Sequence, residues 1–150
     1  MGRRPRTDAR QPDKVILIDS SAWVEFLRDT GSPVCNRVDA ILGDEVATCL
    51  PVRMEVLAGA RDEQHLRGLR GLLARASLIP TEPSDYEEAA ALYRTCRRQG
   101  ETVRRLIDCL IGATAIRASV PVLHSDSDFE VLARHTALTT DHAEPQTAEP

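Results

Sequence analysis

Short apolar runs alternate along the chain with longer segments in which apolar residues recur at helical spacing. The first run, Val15-Ile16-Leu17-Ile18, has no polar position, which is typical of a strand buried on both faces of a parallel sheet. A second such run covers residues 120–123, and weaker strand candidates lie at 46–50, 78–79 and 137–140. The alternation predicts an α/β domain around a mostly parallel sheet.

The segments between these runs predict helices at about residues 22–28, 51–60, 66–76, 84–99, 103–118 and 127–134. Ser20 and Ser21 offer hydroxyl groups that would cap the first of them. Ser84 and Ser127 each precede a glutamate by three positions, which is the spacing of a capping box. The helix over 103–118 is apolar on nearly all sides, so we expect it to be buried at the centre of the domain.

The two ends of the chain lack this periodic pattern. Residues 1–14 are rich in arginine and proline, and residues 141–150 are polar, so neither end is expected to join a core. We therefore expect one domain over residues 15–140, between a disordered extension and a disordered tail. The length of 150 residues, 42% of them hydrophobic, is sufficient for one core.

Composition excludes several classes of protein. A formal net charge of −4 argues against a globally basic nucleic-acid coat, and 3% aromatic residues argue against a base-stacking platform. The four cysteines form no Cys-x-x-Cys pair, which predicts reduced thiols rather than a zinc site. With no signal peptide and no apolar run near the roughly 20 residues that cross a bilayer, we expect a cytoplasmic protein and no membrane contact.

Four acidic residues occupy positions where carboxylates are unexpected. Asp19 and Asp126 follow the carboxyl ends of two predicted strands, and open parallel sheets bind ligands at that edge. Asp108 interrupts the apolar helix, and Glu55 shares a helix face with small apolar residues. Structural explanations also exist: helix capping for the first two acids, a local ion pair for Asp108, and solvent exposure for Glu55.

The surroundings of Asp108 bear on whether it has a structural role or binds a ligand. Its structural alternative is an ion pair with Arg104 or Arg105, one turn away. Gly112, one turn further along, is expected to leave space for a ligand beside the carboxylate. A cluster of carboxylates without Cys or His favours Mg²⁺ or Mn²⁺ over zinc and leaves positions for water and phosphate oxygens. The residues themselves therefore predict metal-dependent phosphodiester hydrolysis.

Four segments carrying these acids resemble the PIN-domain ribonucleases, in particular the VapC-type toxins of bacterial VapBC toxin-antitoxin pairs. The segments are residues 15–23 (VILIDSSAW), 54–60 (MEVLAGA), 100–113 (GETVRRLIDCLIGA) and 122–129 (VLHSDSDF). The resemblance implies a PIN-like three-layer α/β/α domain and a Mg²⁺-dependent endoribonuclease toxin. It also implies neutralisation by a cognate antitoxin and a homodimer. The chain departs from the family at His124, where many members carry threonine or serine, and in the extension before the first strand.

The catalytic acids implied by this resemblance are Asp19, Glu55, Asp108 and Asp126. Two of them, Asp19 and Asp108, would bind the metal directly, and the other two would complete its shell or orient the attacking water. Ser20 and Ser21 would support the site through hydrogen bonds. Asp128 could replace or assist Asp126, although its position beside the capping box also suits a structural role.

Positive charge that could contact RNA phosphates lies just before Asp108, around a loop at residues 99–103. The residues concerned are Arg94, Arg97, Arg98, Arg104 and Arg105. An ordinary solvated helix surface would carry the same residues.

Two other functions remain open from the sequence. A phosphohydrolase of the haloacid-dehalogenase kind also uses an Asp after its first strand, but it needs a second Asp two residues later, where Ser21 stands. A non-catalytic domain that binds RNA or a protein partner is the third interpretation.

Overall fold

The computed structural model describes residues 15–141, which form one five-stranded sheet with helices on both faces. The strands are β1 (Ile16–Ile18), β2 (Val46–Cys49), β3 (Ser77–Ile79), β4 (Val122–Leu123) and β5 (Thr140–Asp141). They follow the order β3-β2-β1-β4-β5, and every neighbouring pair is parallel. The predicted α/β architecture is confirmed. The segments 1–14 and 142–150, predicted to be disordered, lie outside the described residues.

Seven helices in this part of the chain connect the strands. They are α1 (Ser20–Leu27), α2 (Pro33–Ile41), α3 (Leu50–Ala58), α4 (Glu63–Leu73), α5 (Pro83–Arg98), α6 (Leu106–Ala118) and α7 (Ser127–His135). Helix α1 packs against α2 and α3, and α3 packs against α4, whereas α5, α6 and α7 pack against one another. The chain runs outward from β1 to β3 and then returns to β4 beside β1, so right-handed connections place these two groups on opposite faces. The result is a three-layer α/β/α domain.

The burial of each strand follows its place in the sheet. All residues of β1, β2 and β4 are buried, which explains their lack of polar and apolar alternation. The edge strands β3 and β5 are more exposed and include polar residues. Trp23 and Phe129 are the largest fully buried side chains of the core. None of the helices between residues 15 and 141 is long and apolar enough to cross a bilayer.

Three helices are capped by other groups than predicted, and two of them, α1 and α5, also begin one or two residues earlier than predicted. Asp19, rather than Ser20 or Ser21, caps α1 by accepting the N–H of Ser21 at 3.0 Å. Helix α5 begins before Ser84, at Pro83, where the N–H of Glu82 donates to Asp85 at 2.9 Å. Helix α7 is capped by Asp126, one residue before the predicted serine.

Helix α2 was not predicted, although Ser32 followed by proline is a recognisable start signal. The side chain of Ser32 accepts the N–H of Cys35 at 3.0 Å. At the other end of the domain, the predicted tail begins one residue too early. Asp141 belongs to β5 and forms a bidentate ion pair with Arg37, with both bonds at 3.0 Å.

The central helix α6 differs from its prediction in two respects. It begins at Leu106, because residues 103–105 are not helical and the backbone N–H groups of Arg104 and Arg105 are bound to Asp128 of α7. Gly112 does not leave room for a ligand. A Cβ atom there would lie 3.4 Å from Leu132 and about 4.0 Å from Leu92 and Leu138, so this glycine allows close helix packing in the core.

Candidate active site

The acidic residues meet at the carboxyl edge of the sheet, between β1 and β4. Asp19 directly follows β1, and its N–H donates to the carbonyl of Leu123, the last residue of β4, at 2.9 Å. Strand order changes direction beside β1, since β2 flanks it on one side and β4 on the other. This is the topological switch point at which open α/β sheets bind their ligands.

Asp19 is buried, with 1% of its surface exposed. Its Oδ2 accepts hydrogen bonds from the N–H of Ser21 at 3.0 Å and from the hydroxyl of Ser21 at 2.6 Å. Its Oδ1 is buried without a hydrogen-bond partner. Burial raises the pKa of Asp19 to about 6, although the bonds from Ser21 oppose this shift. Asp19 therefore caps a helix with one oxygen and leaves the other available to a ligand.

The two serines after Asp19 connect it to neighbouring elements. The hydroxyl of Ser21 also accepts the N–H of Ser125 at 2.9 Å, which ties α1 to the loop after β4. The hydroxyl of Ser20 donates to Glu55 Oε1 at 3.1 Å and holds that carboxylate beside the end of β1. Both serines thus position acidic side chains through hydrogen bonds.

Glu55 lies on α3, and only 16% of its side chain is exposed. Its Oε2 forms an ion pair with the guanidinium of Arg105, which approaches from the start of α6. The explanation of Glu55 as a solvated helix residue is therefore wrong. The ion pair joins the two helix layers at the edge where Asp19 lies.

Asp108 is buried on α6, with 1% of its surface exposed, and its Oδ2 has no hydrogen-bond partner. Burial, contact with Asp128 and the charges of Asp19 and Asp126 raise its pKa to about 8, while Arg105 opposes the shift. Within residues 15–141, neither Arg104 nor Arg105 forms an ion pair with Asp108. The structural alternative for this residue is thus excluded.

Asp126 and Asp128 lie next to Asp108 but make different contacts. Oδ1 of Asp126 accepts the N–H of Asp128 at 2.9 Å and Arg104 Nη2 at 3.0 Å. Asp128 is 2% exposed and accepts the backbone N–H groups of Arg104 and Arg105, each at 3.1 Å. Burial raises the pKa of Asp128, but these donors outweigh burial and leave the pKa below its usual range. Asp128 therefore anchors the loop that leads into α6.

Two overlapping sets of carboxylates could hold a metal ion. Oxygen atoms of Asp19, Glu55 and Asp108 lie within 4.8 Å of one another, and so do those of Asp108, Asp126 and Asp128. Asp108 belongs to both sets. The unpartnered oxygens of Asp19 and Asp108 fit a hard divalent cation, because a buried carboxylate oxygen without a partner is costly to desolvate.

The arginines before Asp108 fall into two groups. Arg104 and Arg105 reach the acidic cluster, and their side chains remain 68% and 49% exposed. Arg97 and Arg98 lie on the exposed end of α5, where the guanidinium of Arg97 lies 5.6 Å from the ring centre of Tyr93. Within the described residues, no ion pair joins these two to the acidic cluster.

A cavity of about 300 Å³ opens beside Glu55, and sequence reasoning missed it. Glu55 and Val56 of α3 form part of its wall, and the rest comes from α1 and the residue after it, from α4 and from the segment between α3 and α4. We call it the Glu55 cavity. Its residues come from two separate stretches of the chain, 24–28 and 55–69, and no pattern in the sequence shows that these two stretches meet.

Comparison with known proteins places this geometry in a family. The family model described as PIN domain matches residues 16–135. The chain is 45% identical over 128 residues to VapC ribonuclease Mb1587 of Mycobacterium bovis, which covers 83% of this chain and 96% of that protein. It is equally similar, over the same shares, to ribonuclease VapC11 of Mycobacterium tuberculosis.

Among solved structures, VapBC2 from Rickettsia felis, bound to a DNA fragment from its promoter, has a TM-score of 0.69. The match covers 85% of this chain and 97% of that chain, and at 17% identity it shows a shared fold. Together, the domain match and the identity over almost the whole length of the two mycobacterial proteins show that this chain belongs to the PIN-domain family and, within it, to the VapC ribonucleases.

Proposed function

We propose that this protein is a Mg²⁺-dependent endoribonuclease toxin that hydrolyses RNA phosphodiester bonds and is neutralised by a cognate antitoxin. The observation that carries the proposal is the pair of buried, unpartnered oxygens, Asp19 Oδ1 and Asp108 Oδ2, within a cluster of acidic side chains. Like charges in such a cluster repel one another, and a divalent cation would offset that repulsion. Mn²⁺ has similar ligand preferences and could replace Mg²⁺.

The proposed roles follow from the contacts of each side chain. Asp19 and Asp108 would hold the metal, because each has a free buried oxygen. Glu55, oriented by Ser20, and Asp126 would complete its shell or orient the attacking water. When bound, Mg²⁺ would lower the pKa of a water molecule and neutralise charge on the phosphate oxygens.

Supporting roles belong to residues that position these acids. Ser21 directs Asp19 through two hydrogen bonds to a single oxygen, which leaves the other, buried oxygen without a partner and available to a ligand. Asp128 would act mainly by holding the loop before α6 in place, since its oxygens already accept backbone N–H groups.

RNA would approach the acidic cluster past a rim of arginines. Arg104 and Arg105 are exposed at the cluster, and Arg97 and Arg98 continue the positive charge along α5. Such residues can contact phosphates without reading sequence. This rim would compensate locally for the net charge of −4.

The proposed protein partners are a cognate antitoxin and a second copy of this chain. The names of similar proteins support the antitoxin, since VapBC2 of Rickettsia felis shares this fold. Exposed apolar side chains at Leu50, Met54 and Leu106, which are 52%, 60% and 63% exposed, support a homodimer. All four cysteines are buried free thiols, which supports a place in the reducing cytoplasm.

The test is cleavage of total cellular RNA by purified protein with Mg²⁺, with Mn²⁺ and with a chelator, followed by mapping of the cut ends. We expect cuts that need the metal and disappear in Asp108→Asn. The same preparations are tested on a fluorogenic phosphomonoester, which a haloacid-dehalogenase-like enzyme would hydrolyse. Intact RNA under all conditions would favour a non-catalytic domain that binds RNA or a protein partner.

A further inference from the structure

The Glu55 cavity combines an apolar wall with three cationic or hydrogen-bonding side chains. Val24, Leu27 and Leu69 supply the apolar wall, while Arg28, Arg61 and His65 supply the polar groups. Its volume of about 300 Å³ lies at the lower end of the range for small-ligand sites. The cavity is thus suited to a small planar group with a charged attachment.

The charge of the Glu55 cavity is opposite to that of the neighbouring acidic cluster. Within residues 15–141, neither Arg28 nor Arg61 forms an ion pair. The one acid in its wall, Glu55, is already paired with Arg105. Two arginines without an ion pair in this part of the chain therefore line an opening that adjoins the acidic cluster, and their positive charges attract anions.

The ring of His65 is held in one orientation. Its Nδ1 accepts the backbone N–H of Arg61 at 3.0 Å, so the neutral ring carries its proton on Nε2. The N–H of His65 donates to Asp62 at 2.7 Å, which fixes the first turn of α4. The cavity wall thus includes a flat ring with a hydrogen-bond donor at a set position.

We infer that the Glu55 cavity binds one nucleotide of the RNA substrate, next to the phosphate that is cleaved, and thereby sets sequence preference. The inference rests on the proposed ribonuclease function. Single-stranded bases are recognised by stacking on guanidinium planes and aromatic rings and by hydrogen bonds to their edges, and this wall offers all three groups. Because Glu55 belongs both to this wall and to the acidic cluster, the cavity adjoins the cluster, and a nucleotide next to a phosphate at the cluster would lie at its opening.

Charge favours RNA over a basic peptide as the occupant. Arg28 and Arg61 would repel the arginine or lysine side chains of a peptide drawn to the acidic cluster, whereas they would attract the phosphates on either side of a bound base. The apolar residues of the wall would then cover one face of the base.

The first test fills the cavity at Gly59, which lines it. Gly59 has an ordinary φ of −81°, and a Cβ atom there would meet only the carbonyl of Val56, at 3.4 Å, so Gly59→Leu is compatible with the fold. Gly68→Leu is the matched control, because a Cβ on Gly68 meets nothing within 4 Å and this residue does not line the cavity. The probe is a single-stranded RNA library with randomised positions, cut in the presence of Mg²⁺.

We expect wild type and Gly68→Leu to share one base preference beside the cut, and Gly59→Leu to lose it. For the preferred sequence, kcat/KM should fall by about tenfold in Gly59→Leu, which is a typical effect of losing one stacked base. Arg61→Ala should lower the same preference, while Arg67→Ala, on an exposed position outside the cavity, should leave it unchanged. This second pair keeps the test decisive if Gly59→Leu fails to fold.

Two outcomes separate this inference from the proposed function. If wild-type protein cuts no member of the library with Mg²⁺, the proposed function fails. If wild-type protein cuts with a clear preference and both Gly59→Leu and Arg61→Ala keep that preference and rate, the ribonuclease stands and the nucleotide site is overturned. The cavity would then be left to a protein occupant such as an antitoxin segment.

Discussion

The carboxylate of Asp128 accepts the backbone N–H of Arg104 at 3.1 Å, and this bond determines where the helix carrying Asp108 begins. The neighbouring N–H of Arg105 binds the other oxygen of Asp128, also at 3.1 Å. Both N–H groups lie just before the first turn of α6, where the backbone is not helical, and the two side chains form ion pairs within the acidic cluster. One buried acid therefore positions both a helix and its neighbouring arginines.

Asp108→Asn should abolish RNA cleavage and leave the metal-free protein as stable as wild type or slightly more stable. The substitution removes a charge from a repulsive cluster and breaks no ion pair, because neither adjacent arginine binds Asp108. Activity should fall by more than the roughly 10–100-fold typical of an outer-shell change. Single-turnover cleavage and urea unfolding with a chelator measure the two effects. A loss of several kcal/mol of stability would mean that Asp108 serves the fold.

The stability of the metal-free protein should fall as pH rises from about 4 to about 8. Burial holds the pKa of Asp19 at about 6 and that of Asp108 at about 8, both above the value of 3.8 for an unperturbed aspartate. In this window the folded state binds more protons than the unfolded state, so the free energy of unfolding decreases as pH increases. The pKa of Glu101 is lowered to about 2, so this residue makes the free energy of unfolding increase with pH, but only at the acidic end of the range and below it.

Urea unfolding across this pH range, in a chelator, measures the trend. In Asp108→Asn the decrease should be smaller and should end near the pKa of Asp19, about 6. A wild-type profile that rises toward pH 8 would contradict the assignment of repulsive, buried carboxylates.

Mg²⁺ or Mn²⁺ should raise the melting temperature, and the increase should shrink as pH drops toward about 5, because protons compete for the carboxylates. At a metal concentration of about 100 times Kd, the stabilisation is about 2.7 kcal/mol, which corresponds to roughly 9 °C for a domain of this size. Differential scanning calorimetry with and without metal provides the measurement, with Asp108→Asn as the control that loses the shift. Stabilisation by Zn²⁺ bound through cysteine, or by no divalent ion, would overturn the site.

The variants Asp126→Asn and Asp128→Asn should have different effects, because Asp126 is proposed to act at the metal and Asp128 to hold the loop before α6. Asparagine caps helices as well as aspartate does, so Asp126→Asn should retain stability and lose activity. Asp128→Asn should lower stability by about 1–3 kcal/mol, because one of its buried oxygens becomes an amide that cannot accept a backbone N–H. Chemical denaturation and cleavage rates of both variants test this, and equal stabilities would show that the anchor is unimportant.

An antitoxin that inserts an arginine into the acidic cluster should depend mainly on Asp19 and Asp108. Glu55 and Asp126 are already paired with the chain's own arginines, whereas the first two acids have free oxygens for a forked guanidinium. Asp19→Asn should therefore weaken the complex with the cognate antitoxin more than Glu55→Gln, and Ala in place of the inserted arginine should weaken it as well. If Asp19→Asn and that alanine change both leave the binding free energy within about 0.5 kcal/mol, the inhibitor covers the protein elsewhere.

Much of this protein was predictable because the information is local. The uninterrupted apolar runs of β1 and β4 identify central parallel strands, and an acid directly after such a run lies at the binding edge of the sheet. Asp108 is recognisable in the same way, since burying a carboxylate in an otherwise apolar helix is costly unless it is paired or bound to a metal. The sequence by itself therefore determined the fold class and the acids that the chain brings to one edge.

Tertiary structure decided the pairings, because they join residues far apart in the chain. Helical periodicity predicts that α6 begins at Val103. The carboxylate of Asp128, more than twenty positions later, accepts the backbone N–H groups of Arg104 and Arg105, and the helix begins only at Leu106. Gly112 marks close packing against Leu132 rather than space for a ligand, a difference that depends on which helix lies opposite. Long-range hydrogen bonds and packing leave no periodic trace in a sequence, so only the folded chain shows which acids keep a free oxygen and that a cationic cavity lies beside them.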